Sequence, residues 1–216
     1  MLEPILPTIL SVRRLPRADK AVLAAYNADP ERHVSLGFVT CDQDDSLYVA
    51  LDEATKHANV DVVYARSFYA GAAHASGRLS GEILGVIAGV DPDEVDEGLR
   101  ALRRCLMHDA CFYDVDGKGD IAVFPHVITS LGSYLSEAAG LSVGQPMAYL
   151  VAPPMEAAIG LDAAIKGADV TVARVFPPPT ETNYSAAWLT GTQDACEAAA
   201  MVFAETVLDV ALRPTE

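Results

Sequence analysis

The sequence predicts an α+β fold that is built twice within one chain of 216 residues. Residues 61–66 (DVVYAR) return half a chain length later as residues 169–174 (DVTVAR). Each copy follows a stretch with the pattern D-x-x-x-K, at residues 52–56 and 162–166. Apolar residues make up 51% of the chain, which is enough to bury a core in each copy. A helix pattern followed by a strand pattern, present twice, indicates a duplicated α+β module.

The first copy has the pattern strand, helix, strand, loop, strand, helix. Runs of β-branched and apolar residues predict its strands, and a proline-free, alanine-containing stretch predicts its first helix. Asp91, followed by Pro92 and Glu94, predicts the start of the second helix, because aspartate caps helices and proline suits their first turn. The predicted elements are a strand at 34–40, a helix around 52–56, a strand from 61, a glycine-containing loop at 67–80, a strand at 82–89 and a helix from 91 to about 107.

The second copy repeats this order. Its loop contains three consecutive prolines at 177–179, and Thr192 with Asp194 predicts the cap of its last helix. The predicted elements are a strand at 147–151, a helix around 162–166, a strand from 169, a loop at 176–184, a strand at 185–191 and a helix from 192 to about 211. A turn at the Asp116-Gly117 pair, within residues 114–120, marks the junction between the copies.

Charge and motifs narrow the classes of function. The chain has 15 basic and 30 acidic residues, a net charge of −15, so we expect neither nucleic acid nor an anionic membrane as a partner. Its four cysteines form no C-x-x-C pair and fit buried thiols. The sequence has no nucleophile elbow, H-E-x-x-H, P-loop or dinucleotide motif, so it predicts no catalytic site.

Four segments together resemble one protein family. They are residues 52–56 (DEATK), 69–74 (YAGAAH), 146–154 (PMAYLVAPP) and 177–187 (PPPTETNYSAA). They resemble the EutL family, the shell proteins of the ethanolamine-utilisation bacterial microcompartment, and the similarity runs from about residue 10 to the C-terminus. The first ten residues and the junction at 114–120 match poorly, so no residue role is carried over there.

The resemblance implies two tandem circularly permuted microcompartment domains, residues 1–112 and 113–216, and a trimeric pseudohexamer. Three chains would place six domains round one axis in a flat tile. The loops at 67–80 and 176–184 would line a central pore that opens and closes. The implied role is structural: a homotrimer in the microcompartment shell in the cytoplasm, with other shell proteins as partners, no enzymatic activity and no cofactor.

The resemblance further implies smaller pores, one per subunit, that bind ethanolamine and thereby favour the closed form. Ethanolamine has an ammonium group that carboxylates can pair with and a hydroxyl that Thr and Asn can hydrogen-bond. An aromatic ring adds a cation–π contribution of roughly 0.5–2 kcal/mol. The matching positions are Asp44, Asp45, Glu82, Phe112, Glu181, Thr182 and Asn183.

These positions also have ordinary structural explanations when the residues are considered alone. The acidic run at 42–45 fits a solvated turn, whereas a calcium loop is disfavoured because Leu47 stands where such a loop requires glycine. Glu82 fits a charge at a strand edge, Phe112 fits a core residue, and the three prolines fit a rigid linker. His74, in a loop of small residues, fits a solvated side chain better than an acid–base group.

Three hypotheses of different class therefore stand beside one another. The first is a shell protein with a gated pore. The second is a small-molecule enzyme or sensor with an acidic cleft between the halves. The third is an acidic interaction protein that binds no ligand. Whether a metal binds is left open by the sequence.

Overall fold

The structure, a computed structural model, describes residues 2–67, 82–178, 180 and 183–215. Its elements along the chain are β1 (Glu3–Ile5), β2 (Ile9–Leu15), α1 (Lys20–Ala25), β3 (Ser35–Cys41), α2 (Asp44–His57), β4 (Val60–Ser67), β5 (Ile83–Gly89), α3 (Pro92–His108), β6 (Phe112–Asp114), β7 (Ala122–Ile128), α4 (Ser133–Ala139), β8 (Met147–Ala152), α5 (Pro154–Gly167), β9 (Val170–Phe176), β10 (Ser185–Gly191) and α6 (Gln193–Leu212).

The chain divides into two compact units. The N-terminal unit comprises Leu6–Ala110 and Gly132–Leu135, and the C-terminal unit comprises Met1–Ile5, Cys111–Leu131 and Ser136–Glu216. The expected domain boundary between residues 112 and 113 lies within β6 and stays a prediction.

The two units share one sheet order. The N-terminal sheet has the antiparallel order β2-β3-β5-β4, and the C-terminal sheet ends in the matching order β7-β8-β10-β9. The C-terminal sheet is extended to six strands because β1 and β6 pair with each other and β6 pairs with β7. The equal order of the four shared strands confirms the duplication that the repeated sequence predicts.

Each module is larger than the sequence predicted. A strand and a short helix precede the predicted pattern in both units, β2 and α1 in one and β7 and α4 in the other. Helices α1 and α4 have only six and seven residues, which is too short for a clear helical periodicity. Strand β2 includes two adjacent arginines, which interrupt the alternation expected of a strand. The predicted helices and strands themselves are all present.

Alternating side chains of the N-terminal sheet form two apolar layers. On one face, Leu36 of β3 and Val86 and Ala88 of β5 pack against Leu23 of α1. On the other face, glycines leave room for large side chains. A β-carbon at Gly85 would lie 2.9 Å from Leu51 of α2, so glycine is required for this close approach. Helices α2 and α3 cover this second face.

In the C-terminal unit the two faces of the sheet differ in chemistry. Small and aliphatic side chains of β7, β8 and β10 pack against α5 and α6, with Phe203 of α6 buried at the centre. The other face carries a row of aromatic rings. Tyr149 and Trp188 lie 5.4 Å apart, Trp188 and Phe176 lie 4.8 Å apart, and both pairs meet edge to face, the favoured geometry.

The predicted helix caps are confirmed. The side chain of Asp91 accepts hydrogen bonds from the backbone N–H groups of Asp93 and Glu94, both at 2.9 Å, and Pro92 occupies the first turn of α3. The hydroxyl of Thr192 accepts from the N–H of Ala195 at 3.2 Å at the start of α6. Both helices thus begin where the sequence predicts, each just after a glycine-terminated strand.

The segment Gly132–Leu135 is held in the N-terminal unit by Asp52. The buried carboxylate of Asp52 accepts hydrogen bonds from the N–H groups of Gly132 at 2.7 Å and Leu135 at 2.8 Å. A β-carbon at Gly132 would lie 2.6 Å from the Asp52 carbonyl oxygen, so no larger residue fits. Burial raises the pKa of Asp52, although the two N–H donors and Lys56 counteract part of this rise.

Candidate ligand-binding site

The acidic side chains predicted to bind a ligand lie where β3, α2 and β5 meet in the N-terminal unit. Strand β3 ends at Cys41, and α2 begins three residues later at Asp44. Glu82 immediately precedes β5, and its N–H donates to the Cys41 carbonyl at 2.8 Å. Pairing of β3 with β5 therefore brings Glu82 beside the start of α2, although 38 residues separate Glu82 from Asp44 in the sequence.

Asp44 and Asp45 are in the first turn of α2, with side chains largely removed from solvent. Asp44 is 7% exposed and Asp45 is 8% exposed, and the N–H of Asp45 donates to Oδ1 of Asp44 at 2.9 Å. A solvated turn therefore does not describe these two residues. The positive end of the helix dipole stabilises carboxylates at this position.

The carboxylates act on one another electrostatically. Burial raises the pKa of Glu82, and the nearby carboxylates of Asp44 and Asp42 raise it further. Burial also raises the pKa of the Cys41 thiol to about 12, with additional contributions from Asp42, Asp44 and Glu82. Cys41 is therefore a protonated thiol rather than a nucleophile. A bound cation would reduce the repulsion among these carboxylates.

Asp42 also belongs to this group of carboxylates, although it is not among the ligand positions that the family resemblance implied. Its Oδ1 accepts a hydrogen bond from the N–H of Thr8 at 2.6 Å, which ties it to the residues before β2. The signal available in the sequence was the run D-x-D-D at 42–45. We refer to Asp42, Asp44, Asp45 and Glu82 as the acidic cluster.

Two other predicted site residues lie in the C-terminal unit. Phe112 of β6 is half-buried, and its ring centre lies 4.9 Å from that of Phe124 and 6.2 Å from that of Tyr184. Asn183 precedes Tyr184, is exposed, and has a φ of 64°, a left-handed conformation that asparagine tolerates better than most residues. Contact with Tyr184 thus places Phe112 near the end of the proline-containing loop.

The remaining predicted positions lie outside the described residues. They are Glu181 and Thr182 of the ligand set, His74, and residues 68–80 of the first predicted pore loop. Within the residues that are described, no group of three or more His, Cys, Asp or Glu side chains has an arrangement that could hold a metal ion.

Comparisons with known proteins identify the family. The BMC domain family matches residues 35–114, from β3 to β6. Over its full length the chain is 46% identical to the bacterial microcompartment shell protein EutL of Escherichia coli (strain K12), and the alignment covers 98% of that protein. The chain belongs to the EutL family of bacterial microcompartment shell proteins.

Solved structures of EutL proteins extend the agreement to three dimensions. EutL of Clostridium perfringens is 46% identical and superimposes with a TM-score of 0.94, covering 99% of this chain and 97% of that one. The ethanolamine utilization protein EutL of Leptotrichia buccalis is 43% identical with a TM-score of 0.95, covering 100% and 99%. The chain therefore has the EutL fold, two tandem circularly permuted microcompartment domains.

Membership of the EutL family also establishes the general role. The chain is a structural component of a bacterial microcompartment shell, and its relatives are shell proteins by name rather than enzymes, as the sequence predicted. None of the helices in the described residues is both long and apolar enough to cross a bilayer.

The C-terminal unit contains an apolar cavity beside the proline-containing loop. It has a volume of about 240 Å³ and is lined by residues of α5, α6, β8 and β10, among them Leu161 and Phe203, and by Pro177 and Pro178. The hydroxyl of Ser185 in its wall is buried and has no hydrogen-bond partner among the described residues. Helix α5 therefore borders an unfilled apolar space.

Proposed function

We propose that this chain forms a homotrimeric shell tile with a gated central pore, and that ethanolamine binds in smaller pores and favours the closed state. The observation that carries the ligand proposal is the acidic cluster, whose carboxylates lie at the start of α2 and just before β5, close enough that Asp44 and Asp42 raise the pKa of Glu82. The central pore and its gating are proposed from the resemblance to the EutL family. Other shell proteins are the expected neighbours of the tile.

The trimer is supported by the duplication and by exposed apolar side chains. Two modules in each of three chains make six positions round an axis, as in a hexamer of single domains. In the C-terminal unit, Met155 and Ile159 of α5 are 66% and 44% exposed, and Met201 of α6 is also exposed. Apolar side chains of this size on a helical surface favour burial against another chain. The two domains, 1–112 and 113–216, would alternate round the pore, with the loops at 67–80 and 176–184 at its rim.

Ethanolamine fits the chemistry of the proposed site. Its ammonium would pair with Asp44, Asp45 and Glu82, whose negative charges are otherwise held together at an energetic cost. Phe112 would offer the face of its ring to the cation. Glu181, Thr182 and Asn183 would supply the remaining charge and the hydrogen bonds to the hydroxyl.

Calorimetric titration of the full chain with ethanolamine tests this site. We expect saturable binding, and we expect Glu82→Gln to weaken it about 10-fold, because one partly desolvated charge pair of roughly 1.4 kcal/mol is lost. Affinity should also fall as the pH is lowered, since protonated carboxylates do not pair with ammonium. The pKa of Glu82 is raised, so this loss should begin at a higher pH than for an ordinary glutamate.

The matched control is Glu31→Gln. Glu31 is an exposed residue of the same unit that pairs with Lys20 at 3.0 Å, and it is not among the charged groups that act on Glu82. Unchanged affinity in this variant would assign the effect of Glu82→Gln to the site. Absence of ethanolamine binding would reject the site, and structures of the assembly with and without ethanolamine would test the closed-state preference.

Light scattering on the same sample tests the assembly. A trimer of 22.9 kDa chains has a mass of about 69 kDa. A particle of one chain only would contradict the proposed tile, whatever the titration shows.

A further inference from the structure

The N-terminal unit has a basic cavity, which is unexpected in a protein with a net charge of −15. Arg13, Arg14, Arg100 and Arg103 line it, so four of the 15 basic residues of the chain surround one space. The volume of this space is about 240 Å³. Asp96 is the single acidic residue in its wall, so the lining carries a net charge of +3, or +2 when Glu97, the ion-pair partner of Arg100, is counted.

Two elements build this basic cavity. Strand β2 is the edge strand of its sheet and contributes the adjacent residues Arg13 and Arg14. Helix α3 contributes Asp96, Leu99, Arg100 and Arg103, a spacing of three and four residues that places them on one helical face. The apolar parts of Val12 and Leu99 form the remaining wall.

The arginines differ in how fully they are paired. Arg14 forms an ion pair with Asp96, and Arg100 forms one with Glu97, in which Nε donates to Oε2 at 3.1 Å. Arg13 donates to the backbone carbonyl of Val12 at 2.9 Å. Arg103 has neither a hydrogen bond nor an ion pair among the residues that the structure describes. The cavity therefore retains donors for an anion.

We propose that this basic cavity binds a small anion of the phosphate class, either free phosphate or the phosphoryl group of a small molecule. Planar guanidinium groups present paired N–H donors that match the oxygens of a phosphoryl group. The volume accommodates one or two phosphoryl groups, whereas the overall charge of the chain disfavours a long polyanion such as nucleic acid. Distant acidic residues are screened beyond about 8–10 Å, so the local charge governs a small ligand. This proposal does not depend on ethanolamine binding.

Calorimetric titration of the full chain with inorganic phosphate, pyrophosphate and glycerol 3-phosphate at low ionic strength tests the proposal. We expect saturable binding, strongest for pyrophosphate because it can contact more guanidinium groups. Arg103→Gln should weaken pyrophosphate binding about 10-fold, the loss of one charge-assisted contact. Arg103→Lys should weaken it less, because the charge remains but the paired donors are lost.

Arg104→Gln is the matched control, since Arg104 is also exposed and adjacent in α3 but does not line the cavity. It should change affinity less than about 2-fold. Equal weakening by the two glutamine variants would show that general charge attraction, not the cavity, holds the anion, and would overturn the proposal. The proposal would also be overturned if none of the three phosphate compounds gave saturable heats of binding. Binding of polyglutamate instead of these compounds would overturn it as well. Tighter binding of glycerol 3-phosphate than of phosphate would identify a phosphorylated small molecule as the ligand class, and the reverse would identify free phosphate.

Discussion

Helices α2 and α5 occupy the same place in the two modules, yet they are buried to very different extents. Each has 14 residues, and each ends at an alanine in extended conformation. Nine residues of α2 are buried, whereas only Ala157, Gly160 and Ala164 of α5 are. The two copies have thus retained the position and length of this helix but differ in how deeply it is buried.

Under the proposed function, this difference gives the two copies of the module separate roles. Helix α2 starts with Asp44 and Asp45, buried within its own unit as part of the acidic cluster. Helix α5 starts with Pro154 and the exposed Met155, and it borders the apolar cavity. Polar chemistry is concentrated at the first helix, and surface suited to another chain is concentrated at the second. Six equal modules could not divide these tasks.

Equivalent leucines in the two helices give the strongest test of this comparison. Leu51 of α2 is fully buried against Gly85, and Leu161 of α5 is half-buried beside the apolar cavity. We expect Leu51→Ala to lower the free energy of unfolding by about 2–5 kcal/mol, since it removes buried contacts and leaves a cavity. Leu161→Ala should cost about 1–2 kcal/mol, because the side chain is already partly exposed.

Denaturation by urea, followed by far-ultraviolet circular dichroism, measures both variants. The substitution is identical in the two, so the difference reports the environment alone. Equal losses would show that α5 is packed as tightly as α2 and would remove the basis of the comparison.

The two D-x-x-x-K motifs provide a smaller test. Asp52 is fully buried and accepts from Gly132 and Leu135, whereas Asp162 is 65% exposed at its side chain and pairs with Lys166 at 2.6 Å. Asp52→Asn replaces one acceptor oxygen by an NH₂ group that cannot receive an N–H donor. We expect the free energy of unfolding to fall by about 1–2 kcal/mol, because one buried N–H donor is left unpaired. The fall should be at the lower end of the usual range, since the substitution also removes a buried charge that is costly to desolvate.

Asp162→Asn is the control for that measurement and should cost less than about 0.5 kcal/mol, as exposed ion pairs contribute little. The same urea experiment gives both values. If Asp52→Asn were as mild as Asp162→Asn, the bonds to the segment Gly132–Leu135 would contribute nothing to stability.

The sequence predicted the repeated elements well because their signals are local. Strand and helix patterns, Asp91 with Pro92, and Thr192 each depend on a few neighbouring residues. The same motifs could not predict burial. The identical D-x-x-x-K pattern is buried at Asp52 and exposed at Asp162, because burial is decided by residues distant in sequence such as Gly132.

The candidate site shows the same limit. The acidic run at 42–45 and Glu82 are visible in the sequence, but only the pairing of β3 with β5 brings them together. The prediction that these carboxylates bind a ligand came from the resemblance to the EutL family. Composition alone could not give it, since each carboxylate by itself fits an ordinary structural role. The basic cavity was not predicted, because its arginines lie on a strand and a helix more than 80 residues apart.

The caps of α3 and α6 give the smallest test, because each cap acts only on the first turn of its own helix. Asp91 accepts from two N–H groups and Thr192 from one, so the first cap satisfies more of the unpaired donors at its helix start. We expect Asp91→Ala to cost about 1 kcal/mol and Thr192→Ala about 0.5 kcal/mol, measured by urea denaturation. Asp91 also places a carboxylate at the positive end of the helix dipole, so added salt should lower its contribution while leaving that of Thr192 unchanged. A larger loss at Thr192 would mean that α6, although its helix is longer, depends more on its first turn than α3 does.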